Sequence, residues 1–219
     1  MTESDGQATP RMEIEVWSDV VCPWCYVGKR RLEQALVGHG RSVHVIHRAF
    51  QLDPSARSEG RLTVEVLAGK YQVGLEQSLA MMANVTQAAK ESGLEYRLEG
   101  TVSGNTMNAH RLLLWAQRQG RAQDLLESLY AGYFTQQRPI FTTQELMPFV
   151  VQAGMEAAEA EAMLSTDAYA DQVRHDQELA ASLGATGVPF FVIDRRYGIS
   201  GAQPLEVFQQ TLAAAAEGS

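Results

Sequence analysis

The sequence predicts an α/β domain whose chain is interrupted by a long helical insertion. Three observations carry that reading. Strand-like segments lie toward the two ends of the chain. Between about residues 62 and 183 apolar side chains recur every three to four positions, the period of an α-helix. The first strand-like segment runs into a helix through Cys22 and Cys25, the only two cysteines in 219 residues.

In chain order, Met12-Glu13-Ile14-Glu15-Val16-Trp17 alternates with the period of a strand. A helix follows over 23–36, with Pro23 in its first turn, where the missing N–H is no loss, and with Gly38 and Gly40 ending it. Residues 42–50 are rich in β-branched and apolar side chains and form a second strand. The helical block contains amphipathic stretches at 75–92, 106–119, 123–137, 143–153 and 168–183, punctuated by Gly93, Gly120, Pro139 and Gly154. Thr142 or Thr143 with Glu145 marks a helix start. Phe190-Phe191-Val192-Ile193 is a short strand after Pro189, residues 197–200 are its hairpin partner, and a last helix covers 203–215. There is no repeat and no low-complexity linker.

Composition narrows the function. The chain carries 18 basic and 26 acidic side chains, a formal net charge of −8, and its densest basic cluster is Lys29-Arg30-Arg31. A surface that tracks phosphates is not expected, so nucleic acid is not an expected partner. No apolar run approaches membrane-spanning length. Residues 1–11 are polar, do not read as a secretory signal and are expected to form a short disordered tail. The expected location is cytoplasmic.

In that setting two cysteines three residues apart point to redox chemistry or metal binding. A bridge between them closes almost no chain and adds little stability. Residues i and i+3 at a helix start bring their Cα atoms to roughly the 5–6 Å that a disulfide needs. Cys22 would sit where free N–H groups and the positive end of the helix converge, which stabilises a thiolate. It is therefore expected to be the exposed, attacking sulfur, with Cys25, one turn inward, resolving the mixed disulfide. Pro23 and Trp24 between them are expected to tune the redox potential.

The competing reading is zinc, with His44 and His47 completing a Cys pair. Residues three apart on a strand face opposite ways, so the two imidazoles could not easily meet one ion. His39 and His175 have no useful spacing. A third reading makes both cysteines inert core residues. The strand-to-helix context favours redox, with no metal expected.

The stretch Val16-Trp17-Ser18-Asp19-Val20-Val21-Cys22-Pro23-Trp24-Cys25-Tyr26-Val27-Gly28 resembles the start of DsbA-family proteins of the FrnE type. The likeness continues at Gly187-Val188-Pro189-Phe190-Phe191-Val192-Ile193 and at Gly198-Ile199-Ser200-Gly201-Ala202-Gln203. In the helical block it rests on size and on Asn105-Thr106-Met107-Asn108-Ala109-His110-Arg111. The resemblance implies a thioredoxin-like fold with a large all-helical insertion. The division expected is 12–61 and 185–217 for the thioredoxin-like domain and 62–184 for the insertion. It also implies that Val188-Pro189 is a cis peptide beside the sulfurs, where a substrate could pair with the Val188 backbone while its cysteine faces Cys22. The same superfamily includes kappa-class glutathione transferases and 2-hydroxychromene-2-carboxylate isomerases, which use a serine near the first helix. The two cysteines here depart from that pattern.

His110 is read either as a wall of the substrate cleft or as a hydrogen-bonded or surface histidine. Trp17, Trp24 and Trp115 are expected in the core and cleft wall. Met81, Met82 and Met107 are expected to pack in the core, the alternative being an adaptable surface for unfolded chains. The function expected is a dithiol–disulfide oxidoreductase or isomerase acting on protein or small-molecule disulfides. It would hold no tightly bound cofactor and could use glutathione as co-substrate. Two rivals stand beside it: a glutathione-dependent isomerase or transferase for a small aromatic substrate, and a non-catalytic chaperone-like binder.

Overall fold

A computed structural model describes residues 11–217 of the chain. The tail expected over residues 1–11 lies outside these apart from Arg11.

A four-stranded sheet carries the site. Strand β1, Met12–Ser18, is central, and its alternating sequence is buried almost throughout because neighbours cover both faces. It pairs in parallel with β2, Val43–Ala49, in the register Val16 opposite His47. On its other side it pairs antiparallel with β5, Phe190–Ile193, which forms a hairpin with β6, Tyr197–Ser200. A parallel β1–β2 pair needs a crossover, and α1, Pro23–Leu36, supplies it. That helix stops at Val37, and Gly38 follows in the left-handed region at φ 76°.

One face of the sheet is covered by α1 and by the last helix, α9, Leu205–Glu217. Their core joins Ile14, Leu32, Ala35, Ile193 and Leu212, with Phe191 and Phe208 edge to face, 5.0 Å between ring centroids. The other face is covered by α8, Ala170–Ser182. There the Trp17 indole donates to the Asp176 carbonyl at 2.8 Å, and Arg48 bridges Glu15 at 2.6 Å and Asp176 at 3.1 Å. The chain thus returns to the sheet before β5 begins.

The rest of the block holds α2 (Thr63–Tyr71), α3 (Leu75–Glu91), α4 (Met107–Arg118), α5 (Ala122–Tyr130), α6 (Thr143–Gln152) and α7 (Ala157–Leu164). The start read at Thr142 is a full capping box: its hydroxyl accepts from the Glu145 N–H, and the Glu145 carboxylate accepts from the Thr142 N–H. Three features depart from the sequence reading. A two-residue ribbon joins β3 (Arg61–Leu62) and β4 (Val102–Ser103), too short to leave a period in the sequence. Helix α7 is mostly alanine and glutamate and shows no apolar stripe. After α5 the chain widens into a π-helical turn, Ala131–Thr135, where Gly132 is required: a Cβ there would lie 2.1 Å from the Phe149 ring.

The core of this block is continuous with the start of α1. Val20, Cys22, Cys25, Tyr26 and Val27 pack in one cluster with Leu112, Leu125, Leu129, Phe134 and Phe149. The insertion therefore forms the wall around the cysteine turn.

Candidate active site

β1 ends at Ser18, and residues 19–21 lead into the turn that starts α1. The Cys22 N–H donates to the Asp19 carbonyl at 3.1 Å. Cys22 is the N-cap, with extended backbone (φ −87°, ψ 111°) and no side-chain cap bond. Pro23 holds the first helical position, and no acidic residue occupies the first turn. The helix positive end is therefore left to the sulfur. One turn on, the Cys25 N–H donates to the Cys22 carbonyl at 3.0 Å. Both thiols are free. Burial pushes the Cys25 thiol well above its ordinary pKa, and the hydrogen bond and the charge of Cys22 push the same way.

The expectation that Cys22 is the exposed sulfur needs correction. Cys22 is 4% exposed and Cys25 2%. The Cys22 thiol donates to the Val188 carbonyl at 3.6 Å, and the Tyr96 hydroxyl donates to the Pro23 carbonyl at 2.7 Å beside it. The group of the motif that faces solvent is Trp24, 42% exposed. Trp17 is fully buried and Trp115 half-buried; Met82 is buried, while Met81 and Met107 are half-buried.

The Val188–Pro189 peptide is cis and immediately precedes β5, so the β5 register sets its place beside Cys22. Gly28 permits the close fit of α1 against this turn, because a Cβ there would stand 2.9 Å from the Pro189 ring and 3.1 Å from Phe191.

His110 does not reach a cleft surface. It is 2% exposed in the first turn of α4, and its Nε2 lies 3.2 Å from Asp19 Oδ1. The other carboxylate oxygen of Asp19 accepts from the Leu52 N–H at 2.7 Å. Asp19, itself 1% exposed, thus ties the cysteine turn to the segment after β2 and to the insertion. Sequence reasoning did not single it out, although it lies within the motif around the cysteines.

A second polar group ties α1 to α5. Lys29 bonds Glu33 at 2.5 Å and Glu127 at 2.6 Å, Arg30 bonds Glu127 at 2.7 Å, and the Tyr26 hydroxyl donates to Glu127 at 2.6 Å. Burial opposes ionisation of Glu127, but its bonds to Lys29 and Tyr26 outweigh it and hold the carboxyl below the usual range. Lys29 and Arg30 are therefore engaged in a helix–helix contact. His44 is exposed and His47 buried, as opposite faces of a strand require. Among the described residues no three His, Cys, Asp or Glu side chains gather as metal ligands would, and no helix is long and apolar enough to cross a membrane.

A central strand flanked by one parallel and one antiparallel partner, with a dithiol at the head of the crossover helix and a cis-proline turn against it, defines a thioredoxin-fold protein. A family model described as a DSBA-like thioredoxin domain matches residues 13–213, and the chain belongs to that family. Among solved structures it is similar to a probable DsbA oxidoreductase from Streptomyces coelicolor, with 45% identity over 95% of this chain and 91% of that one, at a TM-score of 0.90. The fold is shared with 2-hydroxychromene-2-carboxylate isomerase at 14% identity, TM-score 0.70, covering 94% of this chain and 97% of that one. It is shared also with the cytosolic disulfide reductase DsbM from Pseudomonas aeruginosa, solved with GSH, at 17% identity, TM-score 0.62, covering 94% and 99%.

Proposed function

We propose that this protein is a thiol–disulfide oxidoreductase in which Cys22 attacks and Cys25 resolves. The observation that carries the reading is the arrangement of two free thiols at the start of α1, with Cys22 against the Val188 carbonyl. Cys22 is the N-cap of α1, with no acidic residue in the first turn beside it. Its attack on a substrate disulfide gives a mixed disulfide and releases one substrate thiolate. Cys25 then attacks Cys22 Sγ, closes the internal disulfide and releases the second.

Val188 and Pro189 serve as the docking edge, the Val188 carbonyl exchanging its bond from the Cys22 thiol for one from a substrate backbone N–H. Pro23 and Trp24 set the groups that face the sulfur, and Trp24 offers an exposed apolar ring to the substrate. His110, being buried, contributes by holding Asp19 and the turn. Substrates are protein or small-molecule disulfides. Glutathione is the natural co-substrate of such a site, by analogy with the neighbour solved with GSH. With a cytoplasmic location the glutathione pool would favour reductase or isomerase action over net oxidation.

The test is insulin reduction and scrambled-ribonuclease refolding by the wild type, Cys22→Ser and Cys25→Ser. Cys22→Ser is expected to lose both activities. Cys25→Ser is expected to accumulate a mixed disulfide on Cys22. A Cys22→Ser protein as active as wild type in both assays would refute the proposal.

A further inference from the structure

Helix α1 carries a glycine in its interior, Gly28, one turn past Cys25. Glycine inside a helix is less stable than alanine, so something other than helix formation holds it there. Backbone conformation is not the reason, because Gly28 is not among the glycines with positive φ. Space is the reason: a Cβ would stand 2.9 Å from the Pro189 ring, and 3.1 and 3.5 Å from the Phe191 ring. Gly69, inside α2, is the contrast, since a Cβ there would meet nothing within 4 Å.

Both walls of this contact are held in place. Phe191 is fully buried, lies opposite Val16 and Ile199, and packs edge to face on Phe208. The Pro189 carbonyl accepts from the Gly201 N–H at 2.8 Å. On the helix side, Arg31 donates to the Ala202 and Gln203 carbonyls at 2.7 and 3.2 Å, and the Tyr96 hydroxyl holds the Pro23 carbonyl. A side chain at position 28 therefore forces α1 and the cis-proline turn apart. The Cys22 thiol reaches the Val188 carbonyl across 3.6 Å at the head of the same helix, and that is the gap that would widen.

We propose that Gly28 is the positioning residue that fits this site to disulfides carried on a peptide backbone, an inference that rests on the dithiol reading above. Such a substrate must do two things at once: a backbone N–H donates to the Val188 carbonyl, and a sulfur meets Cys22 Sγ. Few bonds separate a cysteine sulfur from its own backbone, so both contacts are made together only while Cys22 and Val188 stay close. A disulfide without a peptide backbone needs Cys22 alone. The exchange is the same for both. Cys22 gives its proton to water, its sulfur bonds one substrate sulfur, the substrate S–S bond breaks, and the other sulfur leaves with the bonding pair as a thiolate. Gly28 touches no reacting atom; it governs whether docking and attack coincide.

The experiment mixes the full-length reduced protein with insulin, whose disulfides lie on peptide backbones, or with hydroxyethyl disulfide, which has none. Samples are acid-quenched, alkylated and weighed by mass spectrometry to follow loss of the protein thiols, and the readout is the ratio of the two rate constants, insulin over hydroxyethyl disulfide. In Gly28→Ala the ratio is expected to fall about fivefold or more, the scale of one backbone hydrogen bond, and in Gly28→Val it is expected to fall further. Alanine suits a helix better than glycine, so Gly28→Ala is expected to fold, and it decides the matter alone if the valine variant does not. Gly69→Ala is the control and is expected to keep the wild-type ratio. A general loosening of the fold would slow both reactions together and leave the ratio unchanged. The inference is overturned if the ratio in Gly28→Ala stays within about twofold of wild type. A folded wild type that reacts with neither disulfide removes the dithiol reading instead, and the inference with it.

Discussion

His110 and His47 are two imidazoles buried close to the same pair of cysteines, at 2% and 6% exposure, and the protein treats them in opposite ways. His110 is bonded to the Asp19 carboxylate, whose residue also accepts the Cys22 N–H through its backbone carbonyl. His47 has a satisfied backbone and an imidazole with no protein partner. A buried polar group with a partner is part of the scaffold; one without a partner is held in the fold at a cost. Burial alone does not distinguish the two, and hydrogen bonding does.

The comparison breaks most readily at His110. His110→Leu removes the only side-chain bond to Asp19 Oδ1 given by α4 and leaves a carboxylate oxygen buried beside an apolar group. The expected cost is about 3 kcal/mol, the scale for orphaning a buried charged acceptor. Denaturant unfolding at pH 7 measures it. A loss below about 1 kcal/mol would show that Asp19 finds another partner and that the pair is not structural.

A pH titration of stability sharpens the same contrast from the other side. The His47 pKa is about 4 in the fold and about 6.5 in the unfolded chain. Between those values the unfolded chain binds the extra proton, so stability rises with pH through this window and is lost as pH falls from 6.5 toward 4. The loss from this one group is expected to reach about 3 kcal/mol at pH 4. It is read as the difference between wild type and His47→Leu in unfolding series at pH 7, 6, 5 and 4. Parallel curves would mean that His47 is not held neutral by the fold.

The legible and the hidden parts of this molecule differ in how far apart their residues lie in the chain. Cys22, Pro23 and Cys25 occupy one helical turn, so spacing placed them at the head of α1; alternation set β1, and a short apolar run with its hairpin partner set β5 and β6, nearly to the residue. The cis Val188–Pro189 turn was foreseen only through family resemblance, because nothing in the residues themselves selects that isomer. The Asp19–His110 bond spans 91 positions, and no local period marks a pairing of that kind. Cys22 was expected outside because it precedes the helix, where free N–H groups converge, with Cys25 one turn inward. The Val188 turn and the wall built by the insertion bury it, and their approach is tertiary. His47 was weighed as a metal ligand from its spacing to His44. Its cavity is walled by β1, β2, β5, α1 and α5 together, so no single stretch of sequence carries its signature.

The smallest effect decides whether the two histidines are truly opposites. His47→Leu keeps an apolar side chain of similar reach against Val16, Val45, Leu126 and Phe191, which already line that wall. It breaks no side-chain hydrogen bond to the protein, and the backbone bonds of His47 with Gln117 do not involve the ring. At pH 7 its stability is therefore expected to stay within about 1 kcal/mol of wild type, because the removed polar group had only cavity contacts to lose. His110→Leu, an identical change of residue at another buried position, is expected to cost about three times as much. Thermal and denaturant unfolding of the two variants under one buffer gives the ratio directly. If His47→Leu destabilises as strongly as His110→Leu, the His47 ring is a structural element after all.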